Sequence, residues 1–113
     1  VNVAFGEDPA VGVQEGERAL GLFRIAQEAL RNALSHGKPK HVRVELSEQH
    51  GGICLTVADD GCGFDPQARR ARASLGLASM RERAALLGGR LEVHSRAGRG
   101  TLIAVWAPAR RST

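Results

Sequence analysis

The sequence predicts a two-layer α/β (α+β) sandwich, a mixed and mostly antiparallel sheet covered by helices on one face. Two observations carry that expectation. Strand-like runs cluster in pairs, and two segments with helical periodicity are set among them, whereas a regular alternation of strand and helix would indicate a parallel, doubly wound sheet. At 113 residues, 42% hydrophobic and 25% charged, the chain can bury one core of two packed layers and is too apolar for disorder. One domain is expected over 1–113, with a core from Val1 to Ala107 and a tail from Arg110 to Thr113.

The elements follow in order. Val1 stands inside a strand-like alternation, and because the chain begins with Val rather than Met it is expected to be a fragment of a longer protein. From Glu17 to Leu34 the residues Leu20, Phe23, Ala26, Leu30 and Leu34 recur at three- and four-residue steps, which predicts a helix with that stripe on the core. Gly37 and Pro39 end it. His41 to Glu48 alternates Val42, Val44 and Leu46 with polar partners, and Ile53 to Ala58 does the same with Ile53, Leu55 and Val57, so the two runs predict an antiparallel hairpin turning at Gln49 to Gly52. Pro66 to Ser74 is arginine-rich and poor in large apolar groups, and reads as a solvated, mobile segment. Leu77, Met80, Ala84 and Leu87 predict a second helix from Gly76 onward, stopped at Gly88 and Gly89. Arg90 to Ser95 and Thr101 to Trp106 predict two more strands around a turn at Arg96 to Gly100.

Charge and composition narrow the function classes. No apolar run approaches the roughly 20 residues that cross a bilayer, and residues 1–7 are not a basic segment leading into an apolar stretch. Two cysteines, Cys54 and Cys62, are too few for a disulfide framework or a repeated zinc pairing, which fits a reducing cytoplasm. The net charge of +4 is unevenly spread, since Pro66 to Thr113 carries ten basic and two acidic residues. A basic half suits nucleic acid, an acidic membrane or a phosphorylated ligand. With Trp106 and three Phe as the only aromatics, none interleaved among the arginines, stacking on bases has little support.

Four constellations can carry chemistry. Glu28, Asn32 and His36 stand four residues apart on one helical stripe, where a carboxylate and an amide oxygen suit a hydrated magnesium ion and an imidazole one turn on suits phosphate. A polar stripe is also what any solvated amphipathic helix carries. Asp59-Asp60-Gly61-Cys62-Gly63-Phe64 follows a strand expected to be buried, so that a carboxylate at the strand end can accept from an amino group and the glycines let the backbone approach a ligand. The same residues make ordinary turns. Ser74-Leu75-Gly76-Leu77 opens the second helix, whose free N–H groups and dipole favour phosphate, or which is simply capped by serine. Gly98-Arg99-Gly100-Thr101 is the fourth piece and the one most like a plain turn. Neither the phosphate-loop nor the dinucleotide glycine signature is present.

In this order the four pieces resemble the boxes of the Bergerat-fold ATPases, the superfamily of gyrase, the heat-shock chaperones, histidine kinases and the mismatch-repair protein MutL. Arg24 to His36 resembles the N box, Asp59 to Phe64 the G1 box, Ser74 to Leu77 the G2 box, and Thr101 the threonine of the final Gly-Thr. The wording Gln27-Glu28-Ala29-Leu30 and the run Met80-Arg81-Glu82-Arg83-Ala84 are similar to NarL-type sensor histidine kinases.

The resemblance implies an ATP-binding catalytic domain that uses ATP and Mg2+. Asp59 would bind the adenine amino group, Thr101 would support it directly or through water, and Gly61 and Gly63 would let the loop approach the base. Asn32 would hold magnesium, with Glu28 a further contributor through water or a catalytic group of unassigned role. His36, Gly76 and Leu77 would lie at the phosphates beneath a lid from Phe64 to Leu75, whose Arg69, Arg70 and Arg72 are candidate phosphate contacts. Ser74 stands where the G2 box normally begins with glycine, and a positive φ there would stiffen the hinge or weaken binding.

None of His36, His41, His50 and His94 is followed by an acidic residue, as the accepting histidine of such kinases is, so the acceptor is expected on a separate dimerisation domain. A response regulator would be the partner beyond it. The isolated domain is expected to be a nearly inert, cytoplasmic monomer making no contact with nucleic acid or membrane, whether or not its parent is membrane-anchored. An anti-sigma-factor-type serine kinase, a degenerate module that binds partners without nucleotide, and a nucleic-acid binder built on the basic half are the alternatives.

Overall fold

The computed structural model describes residues 1–8 and 16–108, with the side chains of 16, 17 and 71–73 excepted. The expected tail Arg110–Thr113 and the side chain of Arg72 lie outside the described residues. Five strands form one sheet: β1 (Asn2–Glu7), β2 (His41–Gln49), β3 (Gly52–Asp59), β4 (Arg90–Arg96) and β5 (Gly100–Pro108), in the order β1-β2-β3-β5-β4. β1 runs parallel to β2 and every other pairing is antiparallel, so the sheet is mixed and mostly antiparallel, as expected. The helices are α1 (Gly16–Asn32), α2 (Arg69–Ser74) and α3 (Leu77–Leu86).

The hairpin β2–β3 turns on His50 and Gly51, both at positive φ, +49° and +72°, the geometry of a two-residue turn whose twist matches the flanking strands. Alternation then decides the core. Val42 and Val44, Ile53, Leu55 and Val57, Leu91, and Ile103 and Val105 face one side, where they pack with Leu22, Ile25 and Ala29 of α1 and with Met80 and Ala84 of α3. The other side carries no helix among the described residues. There Trp106 donates to the Gln49 carbonyl and lies under the Arg90 guanidinium. Cys54 is buried beside it, as a small apolar residue would be, and burial pushes its thiol pKa up.

Two expectations are corrected. The stripe of α1 on the core is not the expected one: Leu20 and Phe23 are 54% and 60% exposed and Leu34 is exposed too, while Leu22, Ile25, Ala29 and Ala33 are buried. Ala26 and Leu30 belong to both stripes and are half-buried. Two overlapping three-and-four patterns, about 100° apart around the helix, compete for the sheet. The one carrying Ala29 and Ala33 lets the helix end come close to β3. With this rotation Asn32 lies half-buried at the rim of the core, not on the fully solvated side. The second correction concerns Pro66–Ser74, expected to be a mobile segment: it contains α2, in keeping with the high helix propensity of Ala and Arg.

Candidate functional site

A cavity of about 280 Å³ opens between the C-terminal end of α1, the ends of β3 and β5, and the segment from Gly63 to Leu77. Its wall includes Asn32, His36, Asp59, Gly63, Leu77 and Thr101 from the expected site residues. Several of them are held there by identifiable contacts.

Asp59 ends β3 opposite Thr101 of β5. Its Oδ1 accepts the Gly61 N–H at 2.8 Å, and Oδ2 has no protein partner among the described residues. Burial raises the Asp59 pKa above the usual carboxylate value, the Asp60 charge adds to the rise, and the Gly61 N–H opposes it. Asp60 turns the other way. Its Oδ1 accepts the N–H groups of Lys40 and His41, each at 2.8 Å, and its Oδ2 lies 2.8 Å from the His41 imidazole. Led by the His41 N–H, those partners bring its pKa down to about 2.

After α1 the chain makes one π-helical turn, Ala33–Gly37. Such turns expose carbonyls that the regular helix would use. The Gly37 carbonyl accepts the Cys62 N–H at 2.7 Å and the His36 carbonyl faces the Cys62 thiol at 3.3 Å. Gly61 is required at this seam, since a Cβ there would run into the Gly37 carbonyl oxygen. Gly63, at φ +65°, presses against the Arg96 carbonyl in the same way. The loop after β3 is thus stitched to the end of α1 on one side and to the β4–β5 turn on the other.

Across the cavity, Asn32 donates through Nδ2 to the Leu75 carbonyl at 2.6 Å. Because a carbonyl can only accept, the amide oxygen of Asn32 is the end left without a hydrogen-bond partner among the described residues. Gly76 sits behind the wall in the left-handed region, φ +64°, and precedes α3, whose first turn carries no acidic residue. The N–H groups of that turn lack intrahelical acceptors, so the end presents uncompensated positive character. Glu28 does not line the cavity. Both of its carboxylate oxygens accept from Arg31, at 2.9 and 3.1 Å, and the carboxylate lies directly under Gly76, where a Cβ would approach it to 2.7 Å.

Arg70 and Ser74 reach the wall, and Arg69 does not. The strain anticipated at Ser74 is absent: among described residues other than glycine, only Lys38 and His50 have positive φ. Ser74 instead closes α2, its hydroxyl donating to the Arg70 carbonyl at 2.8 Å. Sequence reasoning missed Ser95, which bonds Thr101, Gly100 and Phe64 at once, and it missed the receiving carbonyls of Gly37 and Leu75. Little in the local sequence signals them: Cys62, Leu75 and Phe64 meet their partners from 25 to 43 residues away, and the Ser95–Thr101 pair, six residues apart, depends on the register of the β4–β5 hairpin.

An acceptor at a strand end and a helix start facing one cavity, on a mixed sheet covered on one side, define a nucleotide-binding ATPase domain of the kind the four boxes resemble. The chain belongs to the histidine kinase-, DNA gyrase B- and HSP90-like ATPase family, whose sequence model matches residues 17–111. It is 37% identical over 101 residues to the signal transduction histidine-protein kinase/phosphatase DegS of Brevibacillus brevis, a match covering 85% of this chain and 26% of that protein. It is 46% identical over 87 residues to the sensor histidine kinase LiaS of Bacillus subtilis (strain 168), covering 77% and 24%. The histidine kinase domain of a blue-light activated histidine kinase from Erythrobacter litoralis superposes with a TM-score of 0.79 at 27% identity, over 95% of this chain and 54% of that one. Within the family the chain is therefore an ATP-binding domain of the sensor histidine kinase branch, and it spans about a quarter of the length of the curated relatives it matches.

Proposed function

We propose that the cavity takes Mg-ATP with adenine at Asp59 and Thr101 and the phosphates toward the start of α3, and that the domain presents the γ-phosphate to a histidine on a dimerisation domain of its parent protein. The supporting observation is that the Asp59 carboxylate, the amide oxygen of Asn32 and the start of α3 meet at one cavity. Asp59 would accept from the adenine amino group while the Gly61 N–H holds its other oxygen in place. The N–H groups of α3 would receive phosphate oxygens, with Arg70 closing over them and His36 alongside.

The donor set suits magnesium, which takes one or two protein oxygens and keeps its waters. Asn32 Oδ1 would be its ligand, and Glu28, held by Arg31, would reach it only through water. Bound there, the ion would neutralise charge on the phosphates. The chain's part is positioning. On this reading the domain acts in the cytoplasm, as a monomer when isolated, and its products pass through the dimerisation domain to a response regulator, with no role for nucleic acid. The relaxed geometry of Ser74 removes the reason for preferring a nucleotide-independent module.

The test is transfer of labelled γ-phosphate from ATP to a separate two-helix polypeptide bearing a histidine followed by an acidic residue. Acid-labile label on that histidine, lost with Asn32→Ala or on chelating magnesium, is the expected result. Acid-stable label on serine would favour the serine-kinase alternative, and no transfer together with no ATP binding would overturn the proposal.

A further inference from the structure

The row of side chains that begins with Asp59 does not stop at Thr101. β3, β5 and β4 are neighbours, and Asp59, Thr101 and Ser95 occupy directly paired positions on them, so the three stand side by side on the helix-covered face. Ser95 Oγ lies 2.8 Å from Thr101 Oγ1, 3.0 Å from the Gly100 carbonyl oxygen and 2.9 Å from the Phe64 nitrogen.

Counting protons gives these contacts a direction. A serine hydroxyl has one proton and two lone pairs. The Gly100 carbonyl has no proton to offer, so the Ser95 proton goes there. The Phe64 N–H occupies one lone pair. Only the second lone pair is left for Thr101, so Thr101 donates to Ser95 and its own lone pairs remain for the cavity. Beside it stands the Asp59 carboxylate, an acceptor alone when ionised.

We infer that Ser95 is a positioning residue that determines base specificity: by taking the Thr101 proton it makes the Asp59–Thr101 end of the cavity a pair of acceptors, matched to a 6-amino purine and mismatched to a 6-oxo purine. The inference rests on the nucleotide reading of the cavity. An exocyclic amino group brings two protons to two acceptors, whereas a 6-oxo group brings none and leaves acceptors facing one another, an arrangement that binding sites reject strongly. Ser95 need not touch the base. It acts through Thr101, and through Phe64 it ties the same row to the root of the loop that follows β3.

The experiment is calorimetric titration of the 113-residue chain with ADP and with inosine diphosphate, read as the ratio of the two affinities. Both titrations use one preparation, so the fraction folded cancels from the ratio. Ser95→Ala frees the Thr101 hydroxyl to turn toward a 6-oxo group, and the preference for ADP is expected to fall about tenfold. Ser95→Thr keeps the hydroxyl and retains the preference. In a Thr101→Val background, Ser95→Ala is expected to change the ratio no further. An unchanged ratio in Ser95→Ala, or the same change with and without Thr101, would overturn the inference while leaving the nucleotide reading intact. No ADP binding by the unsubstituted chain would overturn that reading itself, and the inference with it.

Discussion

At the Asp59 end of the cavity, three adjacent strands supply Asp59, Thr101 and Ser95 in register, and the loop between Gly61 and Phe64 is bonded to the π-helical turn after α1 on one side and to β4 on the other. At the Gly76 end the described hydrogen bonding from the rest of the domain is much thinner: Asn32 bonds the Leu75 carbonyl, and Leu75 and Leu77 are buried in the core. On the proposed placement of the nucleotide, the difference would let one small domain meet two demands. A base is recognised by fixed acceptors, which need rigid support. A phosphate chain that is delivered and released needs a segment that can rearrange at small free-energy cost.

That contrast can be broken deliberately. The largest effect is expected from Gly63→Ala, which forces a side chain into φ +65° and against the Arg96 carbonyl. A loss of about 3 kcal/mol of stability in urea unfolding is expected. A loss below about 1 kcal/mol would show that the stitched end yields more readily than its contacts suggest. Gly76→Ala is the matched change at the other end. It also occupies positive φ, but its Cβ meets the carboxylate of a flexible glutamate rather than backbone. Stability should fall by only about 1 kcal/mol, while ATP affinity falls about tenfold as the start of α3 shifts. Equal stability losses at both glycines would erase the distinction.

The smallest effect is electrostatic. Asp60 is held near pKa about 2 in the folded chain, below its unfolded value, so its contribution is present above the ordinary carboxylate range and is lost as pH falls through about 2. Asp60→Asn should flatten that part of the acid-unfolding curve. Asp59 has the opposite sign: its raised pKa means that burial favours the protonated form, so its charge works against folding as pH rises. ATP affinity should accordingly weaken on acidification before the fold does, and simultaneous loss of both would contradict the separate roles given to the two neighbours.

Much of the fold and of the site was legible in the sequence because it is local. Alternation in β2 and β3, the glycine-marked turns and the spacing of Leu77, Met80 and Ala84 each report a single element. What was not legible depended on how elements meet. Helix α1 carries two apolar stripes, and only the sheet decides between Phe23 outside and Ile25 inside. Helix α2 was hidden because arginine-rich composition reads equally as solvated loop or exposed helix. The concern over Ser74 assumed a backbone conformation that the chain does not adopt. Ser95 was invisible because a lone serine in a strand acquires meaning only when Phe64, 31 residues earlier, and Thr101 arrive beside it.

The central claim is that Asp59 is the acceptor around which an adenine nucleotide is bound. It is tested most directly by calorimetric titration of ATP into the unsubstituted chain and into Asp59→Asn, with thermal melts of both. The account predicts measurable affinity for the first, a loss of at least about 100-fold for the second, and similar melting. Unchanged affinity in Asp59→Asn would contradict it.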